Sequence, residues 1–171
     1  GMRASSRPTF SPTPPVWKLA YMSGGVEYTK SFGTYTIDSS WEEDINNSTN
    51  EEFFYVEVGN QNLEKINTIS IKEESNSFSA SNHVNFKNEI LSQLSNELAE
   101  TDNINANAFT SDNGYIVYKF EIHKNDENVT INKYYIIGDY KHILVNETTY
   151  SDSEEADNVA KEMVDTFKWN N

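Results

Sequence analysis

The chain of 171 residues contains no cysteine. This absence excludes disulfide bonds, thiolate metal ligands and a cysteine nucleophile together. It leaves the compartment open, because a protein without thiols suits reducing and oxidising surroundings equally. No apolar run approaches the roughly 20 residues of a membrane span, and none has the pattern of a signal-peptide core.

Proline and arginine are confined to the first 15 residues. The prolines are Pro8, Pro12, Pro14 and Pro15, and the arginines are Arg3 and Arg7. From Val16 onward every basic side chain other than histidine is a lysine. A break in composition of this kind is typical of a connector. We therefore expect residues 1–15 to be a tag remnant or a flexible Pro/Ser-rich linker, and residues 16–171 to form a single domain.

Positive charge is scarce along the whole chain. The formal net charge is −14, from 27 acidic and 13 basic residues. Such a field repels phosphate backbones and anionic membrane surfaces, so nucleic-acid binding is not expected. It permits a cation or a basic protein partner, although keeping a protein soluble is the commoner role of surface acids. The hydrophobic fraction is low, but aromatic residues make up 13% of the chain and provide a core.

Alternating apolar residues predict strands in the first part of the domain. In "VWKLAYM" (16–22) the alternation places Trp17, Leu19 and Tyr21 on one face. Residues 26–38 continue in β-prone residues with a kink at Gly33. "FFYVEV" (53–58) places Phe54, Val56 and Val58 on one side, and "INTISIK" (66–72) aligns Ile69 with Ile71.

Two amphipathic helices are predicted. The first runs from about His83 to Leu98 and carries an apolar stripe of Phe86, Ile90, Leu91, Leu94 and Leu98. The second closes the chain, with Ser151 three residues before Glu154 in a capping-box spacing. Its stripe consists of Ala156, Val159, Ala160, Met163, Val164 and Phe167, and Trp169 is expected to anchor the helix further.

Between the helices the sequence predicts a four-stranded antiparallel meander from about Ile104 to Tyr150. Asn113-Gly114 is a favoured pair for a tight hairpin turn. In "YIVYKFEIHK" the side chains of Ile116, Tyr118, Phe120 and Ile122 face one way, opposite Val117, Lys119, Glu121 and His123. The connections are short, which makes neighbouring strands antiparallel.

Three segments resemble the PsbP-like domain superfamily. These are "YTIDSSWEE" around Trp41, "GYIVYKFEI" followed by the "KYYII" and "HILVNETTY" strands, and the closing helix that runs into "TFKW". The resemblance covers most of residues 16–169 and departs at Asp38-Ser39-Ser40, where the family commonly has a proline before the tryptophan. It implies an α+β fold, an α/β/α sandwich with a central mainly antiparallel sheet and a C-terminal amphipathic helix. It also implies a non-enzymatic role.

No cofactor motif or catalytic motif is present. The glycines form neither a dinucleotide nor a phosphate-binding loop, and the nucleophile elbow of serine hydrolases is absent. His123 and His142 lie near the ends of meander strands, and closeness in space would let them form a metal or acid–base site with Asp126 or Asp139. Unclustered histidines are more often surface residues, so neither a metal nor a cofactor is expected.

Aromatic residues at strand ends provide the remaining candidates for binding. Tyr115, Tyr140 and Tyr150, together with His123 and His142, are the residues that we select as a candidate binding set. Packing in the core or at its rim is the alternative for the tyrosines.

These features predict a non-catalytic protein-binding domain of an exported, membrane-tethered bacterial protein. The Ser/Pro/Thr-rich stretch is typical of a spacer between an anchor and a domain. PsbP-like relatives include extrinsic photosystem subunits, a Ran-binding nuclear import factor, bacterial lipoproteins and chaperones of secreted effectors, which bind proteins in different ways. The alternative is a cytosolic chaperone or adaptor that binds a partner through its sheet face. An enzyme of small substrates is a third, weaker hypothesis.

Overall fold

The computed structural model describes residues 24–60 and 63–170. The strand predicted for residues 16–22 lies outside the described residues. The described residues form ten strands and two α-helices, which confirms the α+β class. The strands are β1 (Gly25–Lys30), β2 (Gly33–Asp38), β3 (Trp41–Glu43), β4 (Glu52–Glu57), β5 (Thr68–Ser75), β6 (Asp102–Thr110), β7 (Ile116–Lys124), β8 (Val129–Ile137), β9 (Lys141–Tyr150) and β10 (Lys168–Trp169). The helices are α1 (His83–Asn96) and α2 (Glu154–Thr166), and a short 3-10 turn precedes α1.

A seven-stranded antiparallel sheet forms the middle layer, in the order β3-β4-β5-β9-β8-β7-β6. Its second half, β6 to β9, is the meander that the sequence predicts. A smaller sheet in the order β1-β2-β10 joins the two ends of the described chain. β10 and β2 are far apart in sequence, so no local periodic signal could predict that they pair.

Each face of the large sheet carries its own hydrophobic core. Phe86, Ile90 and Leu94 of α1 pack on Tyr118, Phe120 and Tyr135 at one face. The predicted stripe of α2 packs on the other face together with β2, and every member of that stripe is buried. The alternation predicted for β7 is confirmed, since Tyr118 and Phe120 lie in the first core and Val117 in the second.

The start of α2 differs from the sequence prediction. Ser153, not Ser151, is the capping residue, because its Oγ accepts the backbone N–H of Ala156 at 3.1 Å. Ser151 has a φ of +68°, and its backbone N–H donates to Asn128 O at 3.0 Å. Local spacing allows either serine to cap, and the tight connection after β9 decides between them.

The turn prediction at Asn113-Gly114 was also partly wrong. Residues 111–115 connect β6 and β7, and of the pair only Gly114 has a positive φ, at +88°. Asn113 instead donates from Nδ2 to the carbonyl oxygens of Thr166 and Phe167, at 3.2 and 2.9 Å. Its amide satisfies carbonyls at the C-terminal end of α2, a tertiary role that outweighs turn preference.

The sequence pattern predicted a kink at Gly33 within a strand. Instead, Gly33 is the first residue of β2 and follows a tight turn. A Cβ at this position would overlap Lys168 O and lie 2.9 Å from the Phe167 ring. Glycine is required here because β10 approaches the backbone of β2 closely. Val58, which the sequence pattern placed in a strand, lies just after β4 and is exposed. Tyr55 of β4 is fully buried, and its hydroxyl lies 2.5 Å from that of Tyr35.

Candidate binding groove

A groove of about 470 Å³ separates α1 from the strands β5 and β9. We call it the α1–β5 groove. Its helix wall consists of Phe86, Glu89, Ile90, Gln93, Leu94 and Glu97. Its sheet wall includes Glu74, Asn76, Lys133, Tyr135, His142 and Leu144.

The groove exists because α1 covers only part of its sheet face. The apolar stripe of α1 rests on β7, β8 and the start of β9. Strand alternation in β5 sends Ile69 and Ile71 into the opposite core, so Ser70, Lys72 and Glu74 face the side of α1. Polar residues of β5 therefore flank an apolar floor.

His142 is the most closely held polar side chain of the groove. His142 is 4% exposed. The centroid of its ring lies 4.8 Å from that of the Phe86 ring and 5.4 Å from that of the Tyr135 ring. Nδ1 lies 3.0 Å from Asn76 Nδ2, and Nε2 lies 2.9 Å from Glu74 Oε1. Both ring nitrogens are thus engaged by side chains of the β5 region.

The Asn76 amide determines which ring nitrogen carries the proton. Asn76 Oδ1 accepts the backbone N–H of Phe78 at 2.8 Å, which leaves its Nδ2 to donate to His142 Nδ1. Nδ1 is therefore an acceptor, and Nε2–H donates to Glu74. The arrangement favours the tautomer with its proton on Nε2.

Glu74 remains ionised in this setting. The hydrogen bond from His142 lowers the pKa of Glu74 to about 2, with Lys72 contributing and partial burial opposing. Lys72 Nζ lies 3.3 Å from Glu74 Oε2. Glu74 is therefore ionised at neutral pH and is paired with Lys72 at the rim of the groove.

Lys133 is the one lysine among the residues that line the groove. Its Nζ donates to Asn146 Oδ1 at 2.8 Å. Burial lowers the pKa of Lys133, and the nearby Glu97 opposes that shift. The lining contains three glutamates, Glu74, Glu89 and Glu97, against this lysine, so the groove is acidic.

Of the five predicted binding residues, only His142 and Tyr140 lie in or beside the groove. His142 lines it. Tyr140 lies in the neighbouring turn with a φ of +59° and a side chain 55% exposed. Its backbone N–H donates to Phe78 O, and its carbonyl accepts the N–H of Asn76. Tyr140 therefore holds the segment that positions the Asn76 amide.

His123 and His142 do not approach each other. On β8 their partners are Thr130 and Ile137, seven residues apart, which corresponds to about 23 Å along the strand. His123 Nε2 lies 3.3 Å from Glu121 Oε2, and His142 contacts Glu74 at the other end of the sheet. The possible two-histidine site is therefore excluded, and the described residues contain no cluster of metal-ligating side chains.

The remaining two candidates lie elsewhere. Tyr115 is half-buried against Phe167, and its hydroxyl accepts the backbone N–H of Trp169 at 3.1 Å, so it fastens β10. Tyr150 borders a second depression of about 460 Å³ with Asp44, Phe54 and Lys65. It lies on the face of His142, at the opposite end of β9.

Sequence reasoning missed Glu74, Asn76 and Lys133. The alternation in "TISIKEES" placed Ser70, Lys72 and Glu74 on one face, which was a usable signal for a polar strand face. Nothing local indicates that α1 stops short of this face, because that depends on packing between distant elements.

Glu147 is a buried acid on the other face of the sheet. It is 0% exposed, and Asn132 Nδ2 donates to its Oε1 at 3.0 Å. Burial raises the pKa of Glu147 to about 8, and the neighbouring Asp157 carboxyl adds to the shift. Its side chain is enclosed in the core, so its charge state bears on the stability of the fold.

Comparison with solved structures identifies the fold. The chain is similar to the solution structure of cyanobacterial PsbP (CyanoP) from Synechocystis sp. PCC 6803, with 10% identity and a TM-score of 0.58, over 86% of this chain and 93% of that one. It is also similar to a crystal structure from Bacteroides thetaiotaomicron VPI-5482, with 10% identity and a TM-score of 0.51. That match covers 86% of this chain and 49% of the other.

These matches confirm the PsbP-like fold expected from the sequence. No protein-family model matches the chain, and no curated protein matches it. At such identity the similarity establishes the fold alone. Within residues 24–60 and 63–170, no helix is long and apolar enough to cross a membrane.

Proposed function

We propose that this chain is a non-catalytic protein-binding domain whose α1–β5 groove receives a basic segment of a partner protein. The observation that carries the proposal is the acidic rim of the groove above an apolar floor. Such a site is complementary to a segment in which lysine or arginine alternates with apolar side chains.

The apolar floor of the groove exposes little surface to a binding partner. Ile90, Leu94 and Leu144 each expose less than a tenth of their surface. A chaperone for unfolded chains needs a broad exposed apolar patch. The limited apolar exposure favours recognition of one specific segment over the alternative of a general chaperone.

The absence of catalysis is part of the proposal. Glu147, the acid with the strongest upward pKa shift among the described carboxyls, is fully buried. His142 uses both ring nitrogens for contacts with Asn76 and Glu74. Neither group is placed to transfer a proton to a bound substrate.

We propose further that the domain is exported from a bacterial cell and tethered to its membrane. The composition of residues 3–15 supports a spacer. Fractionation of the source cells with fatty-acid labelling tests this location. Lipid-labelled protein accessible from outside agrees with it, and unlabelled cytosolic protein leaves the adaptor alternative.

Site-specific photo-crosslinking in the source cells tests the binding role. A photoreactive residue at Gln93 lies on the groove wall, whereas one at Asn88 lies on the outer surface of α1 and serves as the control. We expect a discrete crosslinked product from position 93 that is absent from position 88, and that maps to a basic segment. Equal products from both positions would contradict the proposal.

A further inference from the structure

The edge strand β6 lacks the features that usually protect a sheet edge. It is nine residues long, pairs with β7 alone within residues 24–60 and 63–170, and from Asn103 to Thr110 contains no charged residue and no proline. Natural edges are commonly short, charged or interrupted, because free backbone groups attract another strand. The opposite edge of the same sheet, β3, is three residues long and carries Glu42 and Glu43.

The register of β6 shows which backbone groups are free. Ser111 N–H donates to Tyr115 O at 2.8 Å, which fixes the hydrogen-bonded positions of the β6–β7 ladder. Because these positions alternate, the N–H and C=O groups of Ile104, Ala106 and Ala108 point away from β7. The contact of Asp102 N–H with Ala99 O, outside the ladder, agrees with this alternation.

We propose that β6 pairs antiparallel with β6 of a second copy of this chain, about a two-fold axis at Ala106. This pairing joins the two seven-stranded sheets edge to edge, and every outward-pointing group in the centre of β6 gains a partner. The contact is isologous, as in most homodimers, so it closes and does not propagate.

The side chains of β6 are self-complementary in this register. Ile104 lies opposite Ala108 of the other copy, and Ala106 lies opposite itself, which pairs large with small on the face of α1. On the other face Asn105 lies opposite Asn107, where two amides can hydrogen-bond. No like charges meet within residues 103–110, although the copies repel at longer range because each carries a net charge of −14.

A second copy fits this edge better than a foreign extended segment. Domains that add a foreign strand usually read its side chains with pockets beside the edge. Neither the α1–β5 groove nor the depression at Tyr150 contains a residue of β6. A single strand pair is a small interface, so we expect weak association that strengthens with added salt as the repulsion is screened.

Charge substitutions at Ala106 test the proposal with the full chain. Ala106 is exposed, so Ala106→Lys and Ala106→Glu leave the fold intact. Sedimentation velocity up to about 1 mM should show a concentration-dependent dimer for the wild type and monomers for each variant, because like charges then meet at the axis. An equimolar mixture of the two variants should dimerise again. Asn88→Lys and Asn88→Glu, on the outer surface of α1, should behave as the wild type.

Three results would overturn the proposal. The first is a wild type that stays monomeric throughout the concentration range. The second is a dimer that persists in Ala106→Lys, and the third is a mixture of the two variants that does not dimerise. Amide hydrogen exchange gives an independent readout, since the N–H groups of Ile104, Ala106 and Ala108 should become protected only as concentration rises.

Discussion

Asn76 and His142 are joined by a hydrogen bond of 3.0 Å from the amide Nδ2 to the ring Nδ1. The bond has a fixed direction because Asn76 Oδ1 is already used by the N–H of Phe78. The consequence is a single imidazole tautomer that donates from Nε2 to Glu74, and a carboxylate that stays charged at the rim of the groove.

Replacing Asn76 should release this tautomer. In Asn76→Ala the ring nitrogen Nδ1 and the N–H of Phe78 lose their partners, which we expect to cost about 1–3 kcal/mol in free energy of unfolding. ¹⁵N NMR of the His142 ring should show the Nε2–H form in the wild type and a mixture of forms in the variant. Asn88→Ala is the control. A wild-type ring with the proton on Nδ1 would contradict the assignment.

Glu74 should make the protein sensitive to acid. Its folded-state pKa, about 2, lies below the ordinary value of 4.5, so its contribution to stability is complete above pH 4.5 and is lost as pH falls towards 2. Because the side chain is partly exposed, we expect a contribution of about 1 kcal/mol. In urea unfolding, Glu74→Gln should reduce the slope of stability against pH in that window, and Glu73→Gln should not.

Glu147 should act in the opposite direction. Its folded-state pKa is raised to about 8, so stability is complete below pH 4.5 and is lost as pH rises through 8. Glu147→Gln keeps the acceptor for Asn132 without a charge to bury, and should raise the free energy of unfolding above pH 8 by roughly 1–3 kcal/mol. Identical pH slopes for the wild type and the variant between pH 5 and 8 would contradict this explanation.

Gly33→Ala should destabilise the small sheet. The added Cβ overlaps Lys168 O, so β10 must shift from β2, at a cost of about 1–3 kcal/mol. Gly114→Ala is a useful comparison, because its Cβ meets open space and only the φ of +88° is unfavourable. Thermal unfolding should show the larger loss at position 33. A larger loss at position 114 would mean that backbone conformation outweighs the close approach.

Truncation at Val159 should abolish cooperative folding. The missing part of α2 contains Met163 and Val164, and Phe167 follows it; all three are fully buried in the core shared with β2. A calorimetric scan should show no sharp transition in the fragment. A sharp melt would mean that the sheet is stable without the closing helix.

The sequence predicted those parts of the fold that have a local period. The meander of β6 to β9 and the stripe of α2 follow from alternation and from three- and four-residue spacing, and both are present. The choice of Ser153 over Ser151 as cap depends on how the chain leaves β9, and local spacing does not contain that information.

The groove was not predictable because it is a relationship between distant elements. His142 lies near a strand end, as predicted, but its partners Glu74 and Asn76 lie more than sixty residues earlier in the chain. The possible pairing of His142 with His123 was wrong. Both residues lie near strand ends, but these are at opposite ends of the sheet. Successive connections in a meander alternate between the two ends of the sheet. The order and register of the strands therefore decide which strand-end residues lie close together.

The affinity of the crosslinked partner segment for a charge-reversed groove tests the central claim most directly. Glu89→Lys with Glu97→Lys reverses two exposed rim charges and leaves Phe86, Ile90 and Leu94 in place. The account predicts that binding weakens at least about tenfold and that the remaining affinity depends less steeply on salt. Asn85→Lys with Asn88→Lys, on the outer surface of α1, is the matched control. Unchanged affinity in the charge-reversed groove variant would contradict recognition of a basic segment by this groove.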